Sequence, residues 1–210
     1  MRADARRNRQ RLVAAAMELF VEQGVDVALD AVARRADVGI GTLYRHFPDR
    51  HALAGTVALE SFATLRRLAS DETAPGSAPG GLQRFLVRVA QLRVGVLLSS
   101  LYPLLTARTP DGELVAAFEE VTEEIDALVA RARADGDLRE DVTADDVMLL
   151  LALLTQPLQG ASDEYIAAMT PRLLHLVLEG LQPSEVATPS PPAPPAPAEP
   201  GATSRPWTED

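Results

Sequence analysis

The segment Gly39-Ile-Gly-Thr-Leu-Tyr-Arg-His-Phe47, with Arg50 close behind, brings together side chains suited to gripping a polyanion. Thr42, Tyr44 and His46 carry donors that fit a phosphate oxygen or a base edge, and Arg45 and Arg50 can each meet a phosphate with two parallel N–H groups. Gly39 and Ile40 open the segment without polar side chains, and Ile40 offers apolar contact to a thymine methyl instead. Turnover chemistry has fewer candidates. The chain has no cysteine, which excludes a disulfide framework, a thiolate zinc site and a thiol nucleophile together. It also lacks a serine-histidine-aspartate arrangement, a phosphate-cradling loop and a dinucleotide fingerprint. Glu119-Glu120 and Glu123-Glu124 form a carboxylate cluster without the Glu-x-x-His pairs of a di-iron bundle, so they read as a solvated face. His175, set among Leu173, Leu174, Leu176 and Val177 with no second ligand nearby, reads as a core or interface residue. No metal, cofactor or enzymatic activity is expected.

A formal charge of −10 at first argues against nucleic acid, because a DNA-binding surface must neutralise phosphates. The distribution reverses that argument. Residues 1–50 hold nine arginines against seven acids, so the deficit lies in the remainder of the chain. One end is suited to a polyanion and the other is not. All 20 basic residues are arginine.

With 47% hydrophobic residues, few of them aromatic, the composition favours helices packed on helices. Leu12, Val13, Ala16, Leu19 and Phe20 recur at helical spacing between an N-cap at Asp4 and a stop at Gly24. Leu29, Val32, Ala33 and Ala36 give a helix of barely two turns, followed by Asp37-Val38-Gly39 and a second short helix from Ile40 to Phe47. Neither is stable alone, since isolated helices shorter than about 12 residues are marginal in water. Pro48-Asp49 opens a longer helix reaching about Ser70. Small Ala33 at the crossing, with Val38 and Leu43 facing inward, completes a helix-turn-helix spacing.

Together with Leu19-Phe20 and Gly24, the run from Ala33 to Arg50 resembles the DNA-binding domain of the tetracycline-repressor (TetR) family over residues 9–68. The resemblance implies that Ile40 to His46 is the recognition helix, lying in the major groove of a near-palindromic duplex operator. It implies that Tyr44, His46 and Arg50 clamp the backbone, and that the protein is a homodimeric transcriptional repressor released by a small-molecule effector. Asp37 replaces the glycine usual at the turn and tolerates the left-handed conformation better than most residues. Ala28 stands where the family usually has Ser or Thr.

The expected architecture is all-α. Residues 1–70 form the helix-turn-helix unit with its connecting helix. Thr73 to Gly81, rich in Pro and Gly, marks a boundary, and residues 81–182 form a helical effector-binding and dimerisation unit. Residues 183–210, with nine of the sixteen prolines, read as a disordered tail. Leu82 to Arg108 reads as one mostly apolar helix, which would leave Arg93 buried and in need of an acceptor, either an internal acid or an anionic ligand. Val89, Val96, Leu97, Tyr102 and Phe118 are the candidate lining of a pocket for a small apolar or anionic effector. Helices from Leu114 to Ala134, from Ala144 to Gln156 and within Asp163 to Leu181 follow; Thr170-Pro171 is either an N-cap or a kink. Leu150, Leu154, Leu174, Val177 and Leu178 exceed what one amphipathic face needs and are the candidate dimer interface. The longest apolar run, Val147 to Leu154, falls short of the roughly 20 residues a bilayer span requires, and the chain reads as cytoplasmic. Two rival readings are a DNA-binding regulator without a small ligand and a small helical enzyme.

Overall fold

A computed structural model describes residues 2–106, 112–154 and 163–184, and every regular element among them is a helix. In chain order these are α1 (Arg2–Gln23), α2 (Leu29–Arg35), α3 (Ile40–His46), α4 (Arg50–Thr73), α5 (Gly81–Leu92), α6 (Val94–Thr106), α7 (Gly112–Ala134), α8 (Ala144–Leu154) and α9 (Asp163–Leu181). The Pro-rich tail expected at 183–210 lies outside the described residues from 185 onward.

Helix α4 organises the molecule. Asp49 caps it, its carboxylate accepting from Ala52 N at 2.8 Å. One side carries Leu53, Val57, Ala58, Phe62, Leu65 and Leu68, all buried, and packs against α1, α5, α6 and α7. Phe62 meets Phe118 of α7 edge to face with centroids 5.9 Å apart, a geometry that adds to the area both rings bury. The same apolar cluster runs from Leu12 in α1 to Leu174 in α9, so both parts of the chain share one core through α4.

The loop between α4 and α5 has the composition of a flexible linker but is fastened on both sides. Arg131 donates to the carbonyls of Thr73, Ala74 and Ser77, and Arg84 to those of Ala78 and Pro79. The Asp137 carboxylate accepts from Gly80 N at 2.6 Å. Arg84 Nε also donates at 2.9 Å to Glu72, a nearly buried carboxylate at the end of α4. Loop polar groups that would otherwise face water are thereby paired with helices on either side.

Several local expectations need correction. Asp4 lies inside the first turn of α1 and pairs with Arg7 rather than capping the helix. The segment after Leu82 is not one helix: Arg93 adopts φ +53° and separates α5 from α6. Arg93 is therefore a half-buried helix terminus, and the premise that placed it deep in a continuous apolar helix does not hold. Pro171 sits inside α9, which settles the choice left open at Thr170-Pro171 in favour of a continuing helix. His175 projects from the exposed side of α9 within 3.3 Å of Glu179.

Among the described residues Asp37 is the other non-glycine residue with positive φ, at +52°, and it closes α2 with its N–H on the Arg34 carbonyl and that of Val38 on Ala33. Its carboxylate also meets Arg11 at 2.8 Å. Asp37→Ala should cost about 1 kcal/mol through backbone strain, while Asp37→Gly should leave stability unchanged or raise it. Thermal unfolding checks this; equal losses in both variants would assign the cost to the Arg11 contact instead.

Candidate nucleic-acid interface

Two buried anchors set the pose of α3. Leu43 faces inward from its middle and Phe47, immediately after its last residue, is buried too; both belong to the core cluster that includes Val32 and Ala33 of α2, against which α3 packs. A helix of seven residues held on one face must present the opposite face outward. That face carries Ile40, 37% exposed, and Tyr44, 51% exposed, four residues apart. Gly39 precedes it in extended conformation, also exposed, and no side chain caps the helix start. Exposed aromatic and aliphatic side chains on such a short helix, beside polar neighbours, match a surface made to be covered.

The donors expected from the sequence lie around this face. Arg45 is exposed and folds back along α3, donating through Nε to the Gly41 carbonyl and through Nη2 to Thr42 Oγ1 at 2.9 Å. His46 is half-buried with its ring 6.3 Å from that of Phe47. Arg50 has a task that sequence spacing did not reveal. Its Nη1 donates to the carbonyls of Val25 and Val27, the latter at 2.7 Å, tying the α1–α2 loop to the start of α4. Other arginines of this part are engaged with acids: Arg34 with Asp30, and Arg35 with both Glu18 and Glu22. The Arg35 guanidinium holds the Glu22 carboxyl below the usual range.

The residues proposed for an effector pocket separate into two groups. Val89, Leu97 and Phe118 are buried in the common core, whereas the side chains of Val96 and Tyr102 lie outside the described residues. A surface depression of about 290 Å³ between α4 and α7 is lined by Arg66, Arg67, Ser70, Asp71 and Glu124, none of them in the expected set. Glu119, Glu120 and Glu123 are exposed, as a solvated face requires.

The residues expected at a dimer interface differ in exposure. Leu174 is only 6% exposed and belongs to the core, with Leu178 packed partly against it; Val177 and Leu150 are half-buried, and the side chain of Leu154 is outside the described residues. The exposed apolar side chains on these helices are Leu149 and Leu153 of α8 and Tyr165, Leu173 and Leu176 of α9. α8 carries leucine on nearly every side, so composition does not reveal which of them stay exposed. In α9 the phase could be read, since Leu174, Val177, Leu178 and Leu181 follow the i, i+3, i+4, i+7 pattern of a buried stripe.

Comparison with known proteins bears on this arrangement. Residues 12–57 match the family described as bacterial regulatory proteins, tetR family, and residues 75–183 match the C-terminal domain of SbtR-like transcriptional regulators. A transcriptional repressor of Mycobacterium tuberculosis, KstR, is 32% identical over 166 residues, which cover 72% of this chain and 73% of that protein. The chain belongs to the TetR family. Among solved structures, a TetR regulator from Streptomyces coelicolor is 30% identical with a TM-score of 0.64, covering 84% of this chain and 99% of that one. A gamma-butyrolactone receptor described as ArpA-like is 26% identical with a TM-score of 0.58, covering 86% and 90%. This TetR-family protein is a DNA-binding transcriptional regulator with an all-helical fold. The family's N-terminal model covers α2, α3 and the exposed face just described, and leaves the first turns of α1 outside. No helix among the described residues is long and apolar enough to cross a membrane.

Proposed function

We propose that this TetR-family regulator is a cytoplasmic, non-enzymatic repressor that binds a near-palindromic operator as a homodimer and leaves it when an effector is bound. Residues 1–70 serve as the DNA-binding unit and residues 81–182 as the unit for dimerisation and effector binding. The observation that carries the DNA reading is the outward pair Ile40 and Tyr44 on a short helix fixed from behind by Leu43 and Phe47. In a major groove, Ile40 near the helix start faces base edges, while Thr42, Tyr44, Arg45, His46 and Arg50 meet the backbone. Arg50 holds the loop behind the helix with one nitrogen, so orientation of that loop and contact to phosphate depend on one side chain.

Selection of bound fragments from random duplex DNA tests the reading directly. A near-palindromic consensus is expected, and equal affinity for selected and unselected duplexes would overturn it. Tyr44→Ala should weaken binding to all sequences alike by about tenfold, as loss of a positioning contact does, whereas Ile40→Ala should relax preference at one base pair per half-site. Binding curves on operator and random DNA separate the two roles.

The dimer face is the exposed apolar stripe of α8 and α9, with Leu149, Leu153, Leu173 and Leu176 at its centre. An isologous pairing of this face with its copy covers leucines that a monomer leaves in water. For the effector, support comes from the break at Arg93 and from the related protein described as a gamma-butyrolactone receptor. On this reading the effector is a small apolar molecule with a polar or anionic head, held within residues 81–182 near the α5–α6 junction. Binding there would favour a conformation in which the recognition helices no longer match successive grooves. Thermal-shift screening against metabolites, followed by operator release assays, tests this part; binding without release would make the ligand incidental.

A further inference from the structure

Eight of the nine arginines of residues 1–50, all but Arg2, whose side chain lies outside the described residues, fall into two sets. Arg7, Arg11, Arg34 and Arg35 are each paired with a carboxylate, respectively Asp4, Asp37, Asp30 and the couple Glu18 and Glu22. Arg6, Arg9, Arg45 and Arg50 have no carboxylate partner among the described residues. Arg45 and Arg50 already belong to the recognition face. The remaining two, Arg6 and Arg9, lie on α1 upstream of the family's N-terminal match at residue 12.

Their position is fixed by Arg9. Its guanidinium carbon sits 5.4 Å from the centroid of the Phe47 ring, and its Nη2 reaches Thr56 Oγ1 at 3.3 Å. Phe47 is the residue that ends α3, so this part of α1 borders the C-terminal end of the recognition helix. Arg6 precedes Arg9 by three residues and leaves α1 on the same face. Both side chains are exposed. In a chain with net charge −10, two exposed cations left without acids next to the groove-reading helix are suited to an anion that arrives with the DNA. Arg9 also has a packing role on Phe47. Arg6 has none, which makes it the discriminating residue.

We propose that Arg6 and Arg9 contact backbone phosphates flanking each half-site, extending the DNA interface along α1 beyond the helix-turn-helix. The inference rests on the reading of α3 as the groove-bound helix. Phosphate recognition at this place adds affinity and fixes the angle of approach without reading sequence.

The test is Arg6→Gln and Arg6→Lys in the full-length chain, titrated on the selected operator and on random duplex between 50 and 200 mM salt. With one lost contact per protomer, the slope of log affinity against log salt should fall by about 1.8 for the dimer, and the penalty should be about tenfold greater at 50 than at 200 mM. Arg6→Lys should keep most of the slope, because a point charge suffices for a phosphate. Hydroxyl-radical footprints should shorten at their outer edges in the Gln variant. A wild-type slope and footprint in Arg6→Gln would overturn the proposal while leaving the α3 reading intact. If the wild-type protein itself shows no salt-dependent binding to any duplex, the α3 reading fails and the assignment of Arg6 falls with it.

Discussion

Leu176→Arg is expected to give a folded monomer, and Leu174→Arg to give no folded protein. The two residues are neighbours in α9, but Leu174 is 6% exposed and Leu176 53%. Arginine at 174 loses the transfer energy of a buried leucine and places a charge in a packed core. That combination costs at least about 4 kcal/mol, a large part of the 5–15 kcal/mol by which typical domains are stable. Arginine at 176 stays in water in the monomer, where such changes usually cost less than about 0.5 kcal/mol. What it removes, on the proposed pairing of α8 and α9 with their copies, is the apolar contact between protomers. Two half-site contacts then no longer act together, and operator affinity should fall by about 10²–10⁴-fold. Sedimentation and circular dichroism on both variants check the pair. A dimeric Leu176→Arg protein at micromolar concentration would exclude this face of α9 from the interface, and a folded Leu174→Arg protein would contradict the placement of α9.

Phe118→Ala should lower the stability of the protein by about 3–5 kcal/mol, or roughly 6–20 °C in melting temperature for a chain of this size. Phe118 lies between Phe62 on α4 and the body of α7, and its removal opens a void where the two helices share their longest contact. A ring that merely lined an open ligand cavity would have little to lose. A fall of less than about 1 kcal/mol would therefore restore Phe118 to the lining of a pocket, since the core mechanism requires several times that. Differential scanning calorimetry gives the number, and it needs no knowledge of the effector.

The helix-turn-helix was legible because its constraints are local. Ala33, Asp37, Leu43 and Phe47 follow from spacing over fifteen residues, and the structure buries or twists each as that spacing requires. The role of Arg50 was not legible, because its partners are carbonyls at Val25 and Val27, more than twenty residues earlier, and backbone groups leave no mark in a sequence. The break at Arg93 was hidden for a related reason. Arginine is a good helix former by propensity, and nothing in its neighbours announces a left-handed residue. In α8 the apolar pattern was too rich to assign a phase, so the sequence did not separate the buried Leu151 from the exposed Leu149 and Leu153. In the loop from Ala74 to Gly80, proline and glycine mark where a helix stops but do not show that Arg84 and Arg131 hold the turn in place.

The division of the arginines also bears on how the protein reaches DNA. At physiological salt, charges are felt over about 8 Å, so the acidic body is invisible to a duplex until the last stage of a collision. At that distance a molecule arriving with its acidic body forward is turned back, and one arriving with the proposed recognition helix α3 forward is drawn in. Carboxylates that neutralise Arg11, Arg34 and Arg35 keep those arginines from forming a second attractive side. Encounters are thus sorted by orientation before any base is read, and a strongly acidic protein can scan an acidic polymer without adhering to it by the wrong face.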